Sequence, residues 1–374
     1  MAGFAELPYR LTAAAENVGT RVARGSLADL RPMPRVQIDA GPQGSLYRYE
    51  TADTADGLPI LLVPPLAAPA MAFDLRRGCS LIEHLVTGDR RPYLVDYGNI
   101  AFADRHLGIE FWIKEVLPRA ITAVSGDAGG APVHVVGWCL GGIFSLLAAA
   151  DRPDLPIASL TAVASPFDVT AVPLVAPLRP LANLTGGSLG TVAYRVLGGA
   201  PRWMVRRAFQ LSSVDKFVTK PLAVLQHLDD REWLAQIEAV DRFTANMIAY
   251  PGRTMGQLYH RLFRANDLAD GKINLDGREI DLAVITVPVL VVAGAGDNIA
   301  PERAVARLPE LLTGSRQVRF EVAPGGHLGV LTGRAARTTS WPILDEWVRA
   351  HDEPRPKKAS RKASRKASKR HTAS

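Results

Sequence analysis

Short apolar runs alternate with amphipathic stretches from about residue 59 to residue 351, and most of the runs end at Gly, Pro or Asp. Apolar side chains occupy both faces of most runs, as in parallel strands that helices cover on each side. The pattern therefore predicts an α/β fold with a mostly parallel central sheet. The predicted strands span residues 59–63, 93–97, 133–137, 158–164, 289–293 and 318–322.

Apolar positions at helical spacing predict four helices between or after these strands, at residues 110–125, 140–150, 301–312 and 339–351. A much longer segment separates the fourth predicted strand from the fifth, and it carries helix candidates at 214–228, 231–247 and 253–263. Connections in compact domains usually span about 2 to 6 residues, so this segment predicts an inserted helical cap. A cap here would cover the sheet edge at which ligands bind in α/β folds.

These patterns divide the chain into four parts. Residues 1–50 are expected to form an N-terminal helical segment that packs on the core. Residues 51–166 and 286–353 form the α/β core, and residues 167–285 form the cap. Residues 354–374 form a basic tail.

Composition places the chain among ordinary globular proteins. With 374 residues, of which 47% are apolar, it can bury the core of a large domain. Only Cys79 and Cys139 are present, which excludes the disulfide framework of a small secreted protein. No secretory signal is visible, and the apolar runs fall short of the roughly 20 residues of a transmembrane helix. We therefore expect a cytoplasmic protein without a transmembrane segment.

The positive net charge belongs to the tail and not to the body of the protein. Residues 354–374 contain nine Lys or Arg residues and no acid, so removing them changes the net charge from +7 to −2. The tail repeats KKAS and RKAS units and has no apolar residue larger than Ala, so we expect it to be disordered. Such a tail can bind polyanions such as nucleic acid or anionic lipid.

The segment around Cys139 carries the most specific chemical signal. An apolar strand, a tight turn and a helix are predicted in succession, and the turn reads Gly137-Trp138-Cys139-Leu140-Gly141. This is the nucleophile-elbow pattern G-x-S-x-G of α/β hydrolases with Cys in place of Ser. A helix N-terminus favours the thiolate form of a cysteine. The chain is therefore predicted to have an α/β-hydrolase fold with Cys139 as its nucleophile.

The partners of the nucleophile in this fold follow in the chain order acid, then histidine. Asp297 ends a predicted strand, and His327 follows the next one. We therefore predict Asp297 as the residue that orients His327, and His327 as the general base. The oxyanion hole is expected to use the backbone N–H groups of Leu140 and Leu66.

Other candidate residues favour structural roles. His134 points from a core strand, and His106 lies in a polar loop before a helix. Cys79 lacks the glycines and the strand–turn–helix context of Cys139, so we interpret it as a buried structural thiol.

From about Pro59 to Trp347 the sequence resembles the polyhydroxyalkanoate synthases, and its size is similar to that of their short catalytic subunits, which work with a partner. Several separated motifs carry this resemblance. They lie at residues 63–65, 74–76, 96–98, 137–142, 266–268, 277–282, 296–301 and 325–330.

The resemblance implies transfer of a 3-hydroxyacyl group from coenzyme A to the thiol, followed by attack of a hydroxyl acceptor on the thioester. The motifs match Cys139 to the nucleophile, His327 to the base and Asp297 to its acidic partner. No cofactor or metal is expected, because acyl-coenzyme A is the substrate. A second synthase subunit or a homodimer, and association with polyester granules, are also implied.

Two other functions remain open from the sequence. A thioesterase, lipase or polyester depolymerase would use the same residues but admit water to the acyl-enzyme. Cys139 disfavours this reading, since dedicated hydrolases of this fold mostly carry Ser. The third alternative is a granule-, lipid- or nucleic-acid-associated protein that binds through its tail.

Overall fold

Eight strands form the central sheet of the protein. The computed structural model describes residues 3–52, 55–173, 197–211 and 214–352. The strand order in the sheet is β1-β2-β4-β3-β5-β6-β11-β12, with all pairs from β4 to β12 parallel. These strands are β1 (Arg35–Gly41), β2 (Gly44–Tyr49), β3 (Ile60–Val63), β4 (Pro92–Asp96), β5 (Val133–Trp138), β6 (Ile157–Val163), β11 (Val289–Gly294) and β12 (Val318–Ala323).

The six strands expected from the apolar runs are all present, and their ends differ from the predicted ones by one residue at most. Every residue of β3, β5 and β11 is buried. Burial on both faces explains why continuous apolar runs, and not alternating ones, marked these strands. The carboxyl ends of β5, β11 and β12 therefore lie along one edge of the sheet, where the loops carrying the candidate residues begin.

The prediction of a helical segment extending to residue 50 is wrong for residues 35–49. These residues form the β1–β2 hairpin, and β2 joins the sheet by antiparallel pairing with β4. β1 is an edge strand whose side chains are mostly exposed, so it lacks the apolar run that revealed the inner strands. Gln43 has a φ of 49° in the turn, a position that the local Gly and Pro residues surround.

Thirteen α-helical segments occur in the described residues. They are α1 (Gly3–Arg24), α2 (Leu81–Thr87), α3 (Ile109–Phe111), α4 (Leu117–Asp127), α5 (Leu140–Asp151), α6 (Arg202–Leu211), α7 (Val214–Gln226), α8 (Arg231–Ala245), α9 (Gly252–Gln257), α10 (Glu302–Val305), α11 (Leu308–Leu311), α12 (Gly329–Thr332) and α13 (Ser340–Ala350). π-Helical turns at Trp112–Val116 and Leu258–Ala265 continue α3 and α9. The predicted helix at 301–312 is divided into α10 and α11, with a proline in the first turn of α11.

The segment between β6 and β11 contains helices α6 to α9 and two small antiparallel pairs. The first pair joins β7 (Gly199–Ala200) to β8 (Tyr250–Pro251), and the second is the hairpin of β9 (Lys272–Leu275) and β10 (Arg278–Asp281). The sequence pattern had indicated helices alone in this segment. Residues 174–196 of the predicted cap and the predicted tail at 354–374 lie outside the described residues.

Helix α1 contacts the inserted segment, where we had expected it to contact the core. Arg10 Nε donates to Asp229 Oδ2 at 2.6 Å, and Asn17 Nδ2 donates to the carbonyl of Leu228 at 2.8 Å. Just beyond the helix, the backbone N–H of Leu27 donates to Glu238 Oε2 at 2.7 Å. These polar contacts join the N-terminal segment to the start of α8, and apolar spacing in α1 gave no indication of them.

Candidate active site

Cys139 occupies a strained turn between strand β5 and helix α5. Its φ of 54° and ψ of −121° lie outside the regions that non-glycine residues ordinarily adopt. The backbone N–H of Cys139 donates to the carbonyl of Val163 at 2.8 Å, which ties the turn to strand β6. The thiol is half-buried at the first residue before the helix. This is the geometry of a nucleophile elbow.

Three glycines make this turn possible. A Cβ added at Gly137 would lie 2.4 Å from the Cα of Gly142, so strand and helix could not approach as they do. A Cβ at Gly141 would lie 2.2 Å from the carbonyl oxygen of Val63. A Cβ at Gly142 would lie 2.2 Å from Ser165 Oγ. The spacing of the glycines in the sequence thus follows from close packing of β3, β5 and α5.

Asp297 and His327 form a buried hydrogen-bonded pair. Asp297 follows β11, His327 follows β12, and the distance from His327 Nδ1 to Asp297 Oδ2 is 2.8 Å. Asp297 is only 4% exposed, and its Oδ1 accepts the backbone N–H groups of Ile299 at 2.8 Å and Ala300 at 2.9 Å. Burial by itself would raise the pKa of Asp297, but these hydrogen bonds and the charge of His327 lower it. The carboxylate is therefore held ionised and fixed in orientation.

The electrostatic environment of His327 favours its protonated form. Burial alone would lower the pKa of His327, but a negative charge on Cys139 and the hydrogen bonds to Asp297 and Cys139 raise it. An imidazolium beside a thiol stabilises the thiolate. The structure thus brings the hydrogen-bonded pair of His327 and Asp297 close enough to Cys139 for the sulfur charge to act on the imidazole. A thiol, an imidazole and a carboxylate are groups capable of nucleophilic attack and proton transfer.

Three further residues interact with Cys139 or His327, and no sequence pattern predicts a role for any of them. Trp138 Nε1 donates to the carbonyl of His327 at 3.0 Å, and the two rings lie 5.2 Å apart. Ser165 Oγ donates to the carbonyl of Cys139 at 2.8 Å. Burial is the main cause that raises the pKa of Tyr250, and the charge of Cys139 adds to it. No motif marks Ser165 or Tyr250, because each reaches the site only through the fold.

The residues predicted for the oxyanion hole lie at the expected elements. Leu140 is the first residue of α5, and Leu66 is fully buried in the loop that follows β3. That loop runs close to the elbow, since a Cβ at Gly141 would lie 2.7 Å from the carbonyl oxygen of Pro64. Participation of these two N–H groups in catalysis stays a prediction.

His134, His106 and Cys79, the other candidates from the sequence, have partners away from this site. His134 Nδ1 lies 2.8 Å from Ser159 Oγ, and His134 Nε2 lies 3.3 Å from Asp352 Oδ1. His106 is exposed, with its Nδ1 2.9 Å from the carbonyl oxygen of Ala103. Cys79 is buried, and its Sγ donates to the carbonyl of Thr332 at 2.9 Å.

A cleft of about 1300 Å³ opens onto His327. Its lining includes His327, Gly326 and Gly329, together with residues of α6, α7 and α8. Its volume exceeds the roughly 300 to 1000 Å³ of pockets for drug-sized molecules. In the part of the inserted segment that the structure describes, helices α6 to α8 therefore share this cleft with the loop that carries His327.

A family model described as "Protein of unknown function (DUF3141)" matches residues 113–321, which is more than half of the chain. The chain belongs to the DUF3141 family. The region that the family model matches includes Cys139 and Asp297, and it ends shortly before His327.

Curated relatives of this DUF3141 protein confirm the resemblance to polyhydroxyalkanoate synthases. It is 24% identical over 321 residues to the Poly(3-hydroxyalkanoate) polymerase subunit PhaC of Haloferax mediterranei, covering 82% of this chain and 62% of the relative. It is 26% identical over 307 residues to the subunit of the same name from Allochromatium vinosum, covering 81% of this chain and 84% of the relative. The chain thus spans less than two thirds of the length of the Haloferax relative.

Solved structures agree with the fold of this DUF3141 protein. BpoC of Mycobacterium tuberculosis superposes with a TM-score of 0.50 at 14% identity, covering 85% of this chain and 98% of that one. The mouse alpha/beta hydrolase domain-containing protein 10 gives a TM-score of 0.49 at 15% identity, over 85% of this chain and 99% of that one. The mostly parallel sheet and the elbow at Cys139 are those of the α/β-hydrolase fold, as predicted.

In the described residues, no helix is long and apolar enough to cross a bilayer.

Proposed function

We propose that this protein is a cysteine-dependent acyltransferase that resembles polyhydroxyalkanoate synthase and uses a catalytic triad of Cys139, His327 and Asp297. It transfers a 3-hydroxyacyl group from coenzyme A to the thiol of Cys139, and then to a hydroxyl acceptor. The observation that carries the proposal is a cysteine on a nucleophile elbow, paired with a histidine that Asp297 holds at 2.8 Å. The naming of its relatives as poly(3-hydroxyalkanoate) polymerase subunits supports the same chemistry.

In the first step the thiolate of Cys139 attacks the carbonyl carbon of acyl-coenzyme A. A new C–S bond forms, and the developing oxyanion accepts hydrogen bonds from the N–H groups of Leu140 and Leu66. The bond to coenzyme A then breaks, and the departing thiolate takes the proton of the His327 imidazolium. This thioester exchange conserves the activation of the acyl group, because one thioester replaces another.

In the second step a hydroxyl oxygen attacks the acyl carbon of the Cys139 thioester. His327, now neutral, accepts the hydroxyl proton, and Asp297 stabilises the imidazolium that forms. The C–S bond breaks and returns the thiolate. The acceptor gains an ester, so a hydroxyl at the end of a 3-hydroxyacyl chain would extend that chain by one unit.

Mass spectrometry of the intact protein after brief exposure to 3-hydroxybutyryl-coenzyme A tests the first step. We expect an adduct of one acyl group in the wild-type chain and none in Cys139→Ala. Cys79→Ala is the matched control, since Cys79 is buried and bonded to the carbonyl of Thr332, and it should acylate normally. An adduct that persists in Cys139→Ala would contradict the assignment.

Product analysis tests the second step and separates the alternatives. Soluble oligomer or polymer is the expected product once a hydroxyl acceptor is supplied. Rapid release of free 3-hydroxybutyrate without ester formation would show a hydrolase instead. The need for a second subunit or a homodimer is tested by adding the partner subunit of a relative and measuring the same product.

A further inference from the structure

The helices of the inserted segment give the cleft a basic lining. Helix α6 contributes Arg202, Arg206 and Arg207 to the lining, and α7 contributes Lys220. Among the described lining residues the acidic one is Asp241, which forms an ion pair with Lys220. The three arginines of α6 therefore remain without a facing carboxylate in the described cleft. This concentration of positive charge contrasts with the net charge of −2 outside the tail.

The three arginines are available to a ligand. All three are exposed, and Arg202 donates to the amide oxygen of Asn99 at 2.9 Å, which leaves its charge unneutralised. Arg202 and Arg206 are four residues apart and lie on one face of α6. Guanidinium groups at such spacing can bind phosphate oxygens in pairs.

An exposed aromatic side chain accompanies the arginines. Trp203 lines the same cleft and is 62% exposed, an unusual state for such a large apolar surface. Indole rings stack on nucleobases in nucleic-acid complexes. Arginines beside an exposed tryptophan thus form the two kinds of contact that a phosphorylated nucleotide requires.

Helix α6 is also fixed relative to the catalytic centre. Phe209 packs on Phe243 of α8 with ring centroids 5.8 Å apart, and Phe243 lies 6.1 Å from Trp138. Trp138 in turn contacts the ring of His327 at 5.2 Å. One cleft and one series of packed rings therefore connect helix α6 to His327.

We propose that Arg202, Arg206 and Arg207 of α6, together with Trp203, bind the adenosine 3′-phosphate 5′-diphosphate end of acyl-coenzyme A. The cleft then directs the pantetheine arm and its thioester toward Cys139. This inference rests on the proposed function for the identity of the substrate. Its nucleotide-binding part can be tested without any turnover.

Calorimetric titration of the full-length protein with adenosine 3′,5′-bisphosphate is the direct test. We expect binding by the wild type, and a dissociation constant about tenfold higher in the double variant Arg206→Gln/Arg207→Gln, equivalent to about 1.4 kcal/mol. Arg349→Gln is the matched control, because Arg349 is an exposed helical arginine outside the cleft lining. Both the double variant and the control retain the whole basic tail, so nonspecific binding of the bisphosphate by the tail would be equal in the two proteins.

A kinetic comparison then separates nucleotide recognition from damage to the catalytic site. The double variant should show a KM about tenfold higher for 3-hydroxybutyryl-coenzyme A. Its kcat/KM for 3-hydroxybutyryl-pantetheine, which lacks the nucleotide, should equal that of the wild type. Inorganic phosphate at the same concentration as the bisphosphate should not inhibit turnover of 3-hydroxybutyryl-coenzyme A, because a lone phosphate lacks the adenine that would stack on Trp203.

Three results would overturn the inference. They are no bisphosphate binding by the wild type, equal affinity in the double variant and the wild type, or an equal loss with both thioesters. Binding of anionic vesicles that depends on α6 while bisphosphate binding does not would assign the arginines to a lipid surface instead. Failure of the proposed function has a different signature, namely absence of an acyl-enzyme with either thioester while the bisphosphate still binds.

Discussion

Replacing Asp297 by Asn changes the charge of the buried pair while preserving its shape. The Asn oxygen can still accept the backbone N–H groups of Ile299 and Ala300, which now bond to Asp297 Oδ1 at 2.8 and 2.9 Å. The Asn amide group then faces His327 Nδ1 as a donor. That contact favours the tautomer with its proton on Nε2, in which the histidine cannot accept the proton of a hydroxyl acceptor.

The magnitude follows from the lost charged hydrogen bond between His327 and Asp297. Such a bond contributes about 1.5 to 3 kcal/mol, which corresponds to about a 10- to 150-fold slower transfer from the acyl-enzyme. The wrong tautomer increases this loss. Because the carboxylate also helps to raise the pKa of His327, that pKa should fall in Asp297→Asn. The pH at which transfer activity is half-maximal should move in the same direction.

Single-turnover measurements provide the assay. Preformed acyl-enzyme is mixed with a hydroxyl acceptor, and ester formation is followed in quenched samples over a series of pH values. Asp345→Asn is the matched control, since Asp345 Oδ2 lies 2.9 Å from His84 Nε2 in a second, half-buried His–Asp pair. The control should transfer at the wild-type rate. A transfer rate in Asp297→Asn within about threefold of the wild type would refute the assigned role.

Three further perturbations have defined outcomes. The variant His327→Ala should still acquire an acyl group on Cys139, because a thiolate forms partly unaided. Transfer of that group to a hydroxyl acceptor should fail, because the general base is missing. Intact mass measures the first step, and ester analysis measures the second. Truncation after Glu353 should leave the melting temperature and activity unchanged and reduce co-sedimentation with DNA or anionic vesicles at low salt. Asp352→Ala should lower the free energy of unfolding in urea by about 2 kcal/mol, because its carboxylate accepts from the Leu58 N–H at 2.8 Å and from Arg90 at 2.6 Å. Burial raises the pKa of Asp352, but the hydrogen bond with His134 and the bonds from Leu58 and Arg90 outweigh it and lower that pKa to about 2. The contribution of Asp352 to stability is therefore present near neutral pH and is lost as pH falls toward that value.

The candidate catalytic residues could be predicted from the sequence because each is marked by residues close to it along the chain. The turn at Cys139 requires small residues where strand and helix meet, and Gly137, Gly141 and Gly142 encode that requirement within six positions. Asp297 and His327 each directly follow a strand or its loop, so parallel strand order alone predicts that they share an edge with Cys139. The inner strands were equally clear, since burial on both faces leaves an uninterrupted apolar run.

The sequence by itself therefore determined the six parallel strands of the sheet, the elbow and the chain order of the candidate triad. Only the tertiary structure decided the attachment of the β1–β2 hairpin, whose exposed edge strand carries no apolar run. It alone also brought Ser165 to the backbone of the nucleophile, and it placed the arginines of α6 in the same cleft lining as His327. The physical reason is that burial and turn strain are local constraints that fix residue type along the chain. Contacts between distant polar or exposed side chains impose no period on the sequence, so they emerge only when the chain has folded.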